Sequence, residues 1–256
     1  MRTAQSVLGT FLLSLLLCLS LLLIARTSSA VEISPSLSDA SNDGKIDVVY
    51  AARQDEAYRD RRGKWATYFA INVDQIYPNK FRSRIDNASY DEEFDSLPIP
   101  LLQFEVAQKY NLGIGGVGVS AMAGHGEVTD YRRAERALNL TKYGLGLLYV
   151  MDVLFPEPYL APYFSAQLLR FRWDEAGSKT EGSVSGETSE STAITFGALI
   201  QLNSLDPDSS LYARNSSGLE NTYLDLFVSV YNPSDSSKDP NFQTDINFGA
   251  GLRFEF

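Results

Sequence analysis

Ile246-Asn247-Phe248-Gly249-Ala250-Gly251-Leu252-Arg253-Phe254-Glu255-Phe256 closes the chain, and its reading decides the fold. Ile246, Phe248, Ala250, Leu252, Phe254 and Phe256 fall on one parity; Asn247, Gly249, Gly251, Arg253 and Glu255 fall on the other. A β-strand sends alternate side chains to opposite faces, so the segment has one continuous apolar face ending in aromatics and one polar, glycine-rich face. Soluble chains seldom end on exposed phenylalanines, because termini fray and are usually polar.

Working outward, the same period of two predicts seven earlier strands: Lys64 to Asp74, Ile99 to Tyr110, Leu112 to Gly124, Asn139 to Asp152, Tyr159 to Trp173, Ser191 to Asn203 and Asn221 to Tyr231. Two of them change phase. The third slips at Gly115-Gly116 and the fifth between Phe164-Ala166-Leu168 and Leu169-Phe171-Trp173, and each slip is read as a β-bulge. These strands are longer than the five or six residues typical of soluble sheets, and suit tilted strands that cross a bilayer in about 9–11 residues. Long polar connectors (75–98, 125–138, 174–190 and 232–240) alternate with short links at Asn111 and at 153–158. Such alternation is what outer-membrane barrels show, with both termini on the short-turn, periplasmic side. The connector 204–220 breaks the pattern and is expected either to fold over that rim or to expose a miscounted strand.

The start of the chain reads as an export signal. Arg2 precedes the apolar run from Val7 to Ile24, and Ser28-Ser29-Ala30 supplies small residues for cleavage. Residues 1–30 are therefore expected to be a signal peptide, 31–63 a periplasmic leader and 64–256 the barrel. Leu17 before Cys18 is too large for a lipoprotein signal. The whole chain carries 22 basic and 32 acidic residues and one cysteine. Cleavage after Ala30 removes Arg2, Arg26 and Cys18, and leaves an acidic chain without disulfides. That acidity argues against a nucleic-acid partner.

Signal peptide, alternating strands, uneven connectors and the terminal Gly251-Leu252-Arg253-Phe254-Glu255-Phe256 together make the chain resemble the small eight-stranded outer-membrane barrels of Gram-negative bacteria, the class that contains OmpW, OmpX and the membrane domain of OmpA. The resemblance implies an all-β, eight-stranded, antiparallel, up-and-down transmembrane barrel in the bacterial outer membrane, monomeric and surrounded by outer-membrane lipids and lipopolysaccharide. It also implies that Leu252, Phe254 and Phe256 are read as an assembly signal by the barrel-assembly machinery.

With the apolar parity toward lipid, the other parity lines the lumen. The expected lumen charges are Asp74, Glu105, Asp152, Asp225 and Glu255 against Lys109, Lys142, Arg170, Arg172 and Arg253. An eight-stranded barrel is just wide enough for side chains to fill, so such charges must pair or be hydrogen-bonded. One reading is a salt-bridged plug in a structural, surface-interaction or small-solute protein. Another is a narrow pore, with Gly144, Gly146, Gly249 and Gly251 leaving room. The third is a lipid A-modifying enzyme, for which His125, beside Glu127, is the one catalytic candidate. The His-x-Ser-Asn signature of the deacylases is missing, so no catalytic residue is assigned. No metal site or cofactor is expected. Trp65, Tyr110, Tyr143, Trp173, Tyr231 and Phe256 are candidates for interfacial aromatic girdles.

Overall fold

The computed structural model describes residues 57–130, 136–177 and 182–256. The expected signal peptide and most of the expected leader lie outside the described residues. One compact unit runs from Ala57 to Phe256.

The unit opens with a one-turn helix, α1 (Tyr58–Arg61), followed by β1 (Trp65–Ile76), the short helix α2 (Tyr90–Phe94), β2 (Ile99–Leu112), β3 (Gly115–Asp130), β4 (Arg136–Val150), β5 (Leu160–Ala176), the short β6 (Ser183–Glu187) and β7 (Ser191–Gln201). Helix α3 (Pro207–Ser217), β8 (Asn221–Tyr231) and β9 (Asn247–Glu255) complete it. Each barrel strand pairs antiparallel with its sequence neighbours, β9 pairs with β1 through Phe69↔Phe254 and Ile71↔Leu252, and β4–β5 pairing completes the circle. The result is a closed, eight-stranded, up-and-down barrel. Closure leaves no edge among these strands, the condition for a sheet to stand in lipid. β6 is an extra strand that pairs with the end of β5, in a stretch the sequence reads as loop.

Alternation places the apolar parity outside. Val119, Leu145, Leu147, Phe196 and Phe248 are each more than half exposed, and Leu102, Phe104, Leu226 and Leu252 are also exposed. An apolar belt of this extent in contact with water would be costly, whereas in hydrocarbon it costs nothing. Outward aromatics pack across strand pairs: Trp65 with Tyr110 (ring centroids 4.8 Å apart), Phe164 with Phe196 (5.0 Å) and Phe69 with Phe254 (6.4 Å) across the closing seam.

Neither expected bulge is present. At the third strand the phase changes because Leu112 pairs with Gly115 across a tight turn of Gly113 and Ile114, so the residues before and after belong to different strands. Gly115 takes φ +139°, and a Cβ there would run into the Val150 carbonyl. β5 keeps one register throughout, from Val150↔Tyr163 to Ala137↔Ala176. Its phase never slips. What changes is the environment: below Leu169 the outer residues are apolar, and above it the inner residues Leu169, Phe171 and Trp173 are.

That corrects two lumen assignments. Arg170 and Arg172 stand on the outer parity, with the Arg170 side chain 45% exposed and paired to Glu190 at 2.8 Å. It also removes Trp173 and Tyr231 from the girdle, since both are buried inside. The connector 202–220 lies at the same end as the Gly113-Ile114 turn and carries α3, started by Asp206, whose carboxylate accepts from the Ser209 N–H at 3.0 Å, and stopped by Gly218 at φ +73°. The strand count of eight therefore holds.

Candidate functional site

Among the described residues the lumen gathers buried charge in three layers stacked along the barrel. The layer nearest the start of β1 and the end of β9 is built on Lys109 of β2, whose side chain is fully buried. Its ammonium reaches Asp152 and Glu255 at 2.6 Å each and donates to the Tyr68 hydroxyl at 2.8 Å. Glu255 also accepts from Asn221 (2.8 Å) and Tyr223 (2.9 Å). The segment before β1 completes this layer. Tyr58, 1% exposed, donates to Glu255 at 2.6 Å, and Arg62 pairs with Asp152 at 2.7 Å. Two cations thus face two carboxylates.

In the middle layer Arg253 of β9 bridges Asp225 (2.9 Å) on the neighbouring β8 and Glu105 (3.1 Å) on β2, and Tyr163 donates to Asp225 at 2.8 Å. The third layer holds Lys142, which donates to the Tyr231 hydroxyl at 2.5 Å and lies 3.6 Å from Asp74; Tyr231 donates to Asp74 in turn. Eight of the ten expected lumen charges, Asp74, Glu105, Lys109, Lys142, Asp152, Asp225, Arg253 and Glu255, are buried inside, and Arg170 and Arg172 are the exceptions.

Above Lys142 the lumen turns apolar. Leu138, Leu140, Leu169, Phe171 and Trp173 point inward and pack against loop residues Phe81, Tyr90, Phe94 and Phe242. Phe242 sits 5.2 Å from Phe171 and 5.5 Å from Phe81, ring centre to ring centre. The loop between β1 and β2 is thus drawn into the barrel mouth, with α2 held by a capping box between Ser89 and Glu92. Arg136, buried at the start of β4, fastens the loop, reaching Asp86 at 2.8 Å and Glu93 at 3.1 Å. Burial raises the Asp86 carboxyl, but bonds from Ser83, the Ala88 N–H and Arg136 outweigh it and hold the group down at about 2.

The lumen glycines do not open a passage. A Cβ on Gly249 would meet the Phe227 ring, one on Gly251 the Asn72 amide, and one on Gly146 the Ser120 hydroxyl at 2.8 Å. Neighbouring side chains already occupy the space that these glycines leave. The lumen cavity between the middle and third layers has a volume of about 10 Å³, about one water molecule.

His125 lies on β3 rather than in a loop, on the outer parity and exposed. Its Nδ1 is 2.9 Å from Thr141 Oγ1, and Glu127 accepts from Thr129 at 3.1 Å. Among the described residues the hydrogen-bond partner of His125 is Thr141, rather than a carboxylate or a serine of the kind that nucleophilic catalysis uses. Leu252 and Phe254 face outward on β9, and the terminal Phe256 is 47% exposed; its N–H and C=O pair with Thr67 at 2.9 and 2.8 Å. Among the described residues there is no cluster of His, Cys, Asp and Glu able to hold a metal. Sequence reading missed Tyr58 and Arg62, whose stretch has no periodicity; their signal is chemical, a tyrosine and arginines next to a barrel whose terminal layer has two carboxylates for one lysine.

No family model matches this chain, and no curated protein matches it in sequence. Among solved structures it is similar to the Neisserial surface protein NspA, at 9% identity and a TM-score of 0.39 over 75% of this chain and 96% of that one. Ail, the attachment invasion locus protein of Yersinia pestis, gives 11% identity and a TM-score of 0.39 over 76% of this chain and 99% of that one. The β-domain of the Bordetella autotransporter BrkA gives 14% and 0.29 over 74% and 69%. On its own topology and burial, eight strands closed with apolar side chains outside and charged ones within, this chain has the architecture of a small eight-stranded outer-membrane barrel.

Proposed function

We propose that the protein is a closed, non-conducting barrel of the bacterial outer membrane, with a structural or surface-interaction role carried by the polar ends of its strands and its long loops. The observation that carries this reading is closure at two levels. Tyr58, Arg62, Lys109, Asp152 and Glu255 fill the lumen beside the termini, and Phe81, Tyr90, Phe94 and Phe242 fill it beneath the loops. Between them the charges are paired side chain to side chain, which is what a barrel too narrow for bulk water requires. The pore reading has only the cavity of about 10 Å³ in its favour.

The orientation follows from the same picture. The short turns, α3, the start of β1 and the end of β9 face the periplasm, and the loops between β1 and β2, β5 and β7, and β8 and β9 face outward. Lipids, lipopolysaccharide included, contact the belt around Leu145, Phe196 and Phe248. The barrel-assembly machinery reads Leu252, Phe254 and Phe256, the outward residues of the closing strand. The expressed protein should fractionate with outer membranes and run faster on gels unheated than boiled. In planar bilayers it should pass no discrete currents. Recovery as a soluble periplasmic protein would end the membrane reading, and stepwise single-channel currents would end the closed one.

A further inference from the structure

The apolar wall of the barrel is not of one height. On the closing strand the outer side chains are apolar from Ile246 to Phe256, eleven positions. On β3 they are apolar only from Val117 to Ala123, and on β4 only from Leu145 to Met151, seven positions each. Above these stretches the wall turns polar at once: His125 of β3 meets Thr141 of β4 at 2.9 Å, and Tyr143 donates to Glu187. A tilted strand crosses hydrocarbon in about 9–11 residues, so on this side the wall falls short by about two to four.

The missing height lies in the turns beneath. Turns at a water surface are built from Gly, Pro, Asn, Asp and Ser. The β2–β3 turn instead presents Ile114, and the β4–β5 turn presents Leu154, Phe155 and Tyr159. Ile114, Leu154 and Tyr159 are each more than half exposed and Phe155 nearly so. The two turns are neighbours, since the Tyr149 hydroxyl on β4 donates to the Ile114 carbonyl at 2.9 Å. The one charge between Val153 and Tyr159, Glu157, is drawn toward the barrel mouth, where it accepts from Arg61 at 2.6 Å and from the Tyr58 N–H at 2.8 Å. Continuity names what covers this surface. Met151 joins Leu154 to the belt of β4, and Leu160, paired with Ile200, joins Tyr159 to that of β5 and β7. Beside the closing strand, by contrast, Trp65 is preceded by the exposed Lys64, and the apolar surface stops at the strand end. We infer that the β2–β3 and β4–β5 turns are set into the phospholipid leaflet on the periplasmic side, where Ile114, Leu154, Phe155 and Tyr159 complete the span that β3 and β4 lack. The inference rests on the membrane barrel proposed above.

The test places a nitroxide on single cysteines in the full chain carrying Cys18→Ser, folded into phospholipid vesicles. The sites are Ile114→Cys and Leu154→Cys, with Leu145→Cys in the belt and Ser237→Cys in an outer loop as references. Collision with oxygen, which concentrates in lipid, is compared with collision with a water-soluble nickel chelate. Both turn sites should show an oxygen-to-nickel ratio several-fold above that of Ser237→Cys and approaching that of Leu145→Cys. A ratio like that of Ser237→Cys at either turn site, with Leu145→Cys shielded, would leave the rim to water or to a periplasmic protein and overturn the inference. Dipolar broadening between labels at position 114 would put a second copy there and overturn it equally. Nickel reaching Leu145→Cys as well would instead end the membrane reading itself. Should a turn variant fail to fold, Gly113→Cys, where a Cβ meets no other atom, and Phe155→Cys take its place.

Discussion

The Tyr58 hydroxyl donates to the Glu255 carboxylate at 2.6 Å, tying the segment before the first strand to the next-to-last residue of the chain. The same oxygen lies 3.1 Å from Asp152 Oδ2. A side chain from outside the sheet thus closes the layer in which Lys109 and Arg62 face Asp152 and Glu255.

Tyr58→Phe keeps the ring and removes that donor. It should destabilise the barrel by about 1–3 kcal/mol, the cost of a buried, charge-assisted bond left unmade. A lower midpoint in the heat-dependent gel shift, with unchanged membrane fractionation, is the expected result; an unchanged midpoint would show that the segment merely rests on the barrel.

Arg253 and Arg170 are both arginines on alternating strands, and their fates should differ. Arg253→Ala leaves Glu105 and Asp225 buried without their cation and should cost about 3–5 kcal/mol. Arg170→Ala removes a solvent-screened, exposed pair with Glu190 and should leave the unfolding midpoint nearly unchanged. Equal effects on unfolding would contradict the unbroken register of β5.

The loop clasp between Asp86 and Arg136 should fade in acid. The folded Asp86 carboxyl is held at about 2, below its ordinary value, so its stabilising contribution is fully present above about pH 4 and is lost as the pH falls through about 2. The stability gap between the unaltered protein and Asp86→Asn, measured across that window, should close toward low pH. A gap independent of pH would assign the clasp to packing instead.

Removal of Phe256 should impair insertion into the outer membrane more than it lowers the stability of protein refolded in detergent. The outward Phe254 and Leu252 remain, and the ring of Phe256 is half exposed. Normal assembly of the shortened chain in cells would refute the assembly role.

Much of the barrel was legible in residue order. The period of two in β1, β2, β4, β8 and β9 separated lipid side from lumen side correctly, because a strand in a closed sheet has two environments and must satisfy both. The errors share one cause. At the third strand a tight turn at Gly113-Ile114 imitated a bulge, since both shift the phase. At the fifth, a barrel that turns itself inside out imitated one too. Around Leu145 and Leu168 the outer side chains are apolar and the charges are inside; around Phe171 and Trp173 the outer side chains are Arg170 and Arg172 and the apolar plug is inside. Hydropathy reports the environment rather than the direction of a side chain, so Arg170 and Arg172 read as inward when they are outward.

Residue order alone therefore determined that the closing strand, Ile246 to Phe256, is two-faced, and that Arg253 and Glu255 share its inner side. Only the tertiary structure decided their partners. Arg253 meets Glu105 from 148 positions away and Glu255 meets Tyr58 from 197 positions away, because closing a barrel brings together strands that no local periodicity relates.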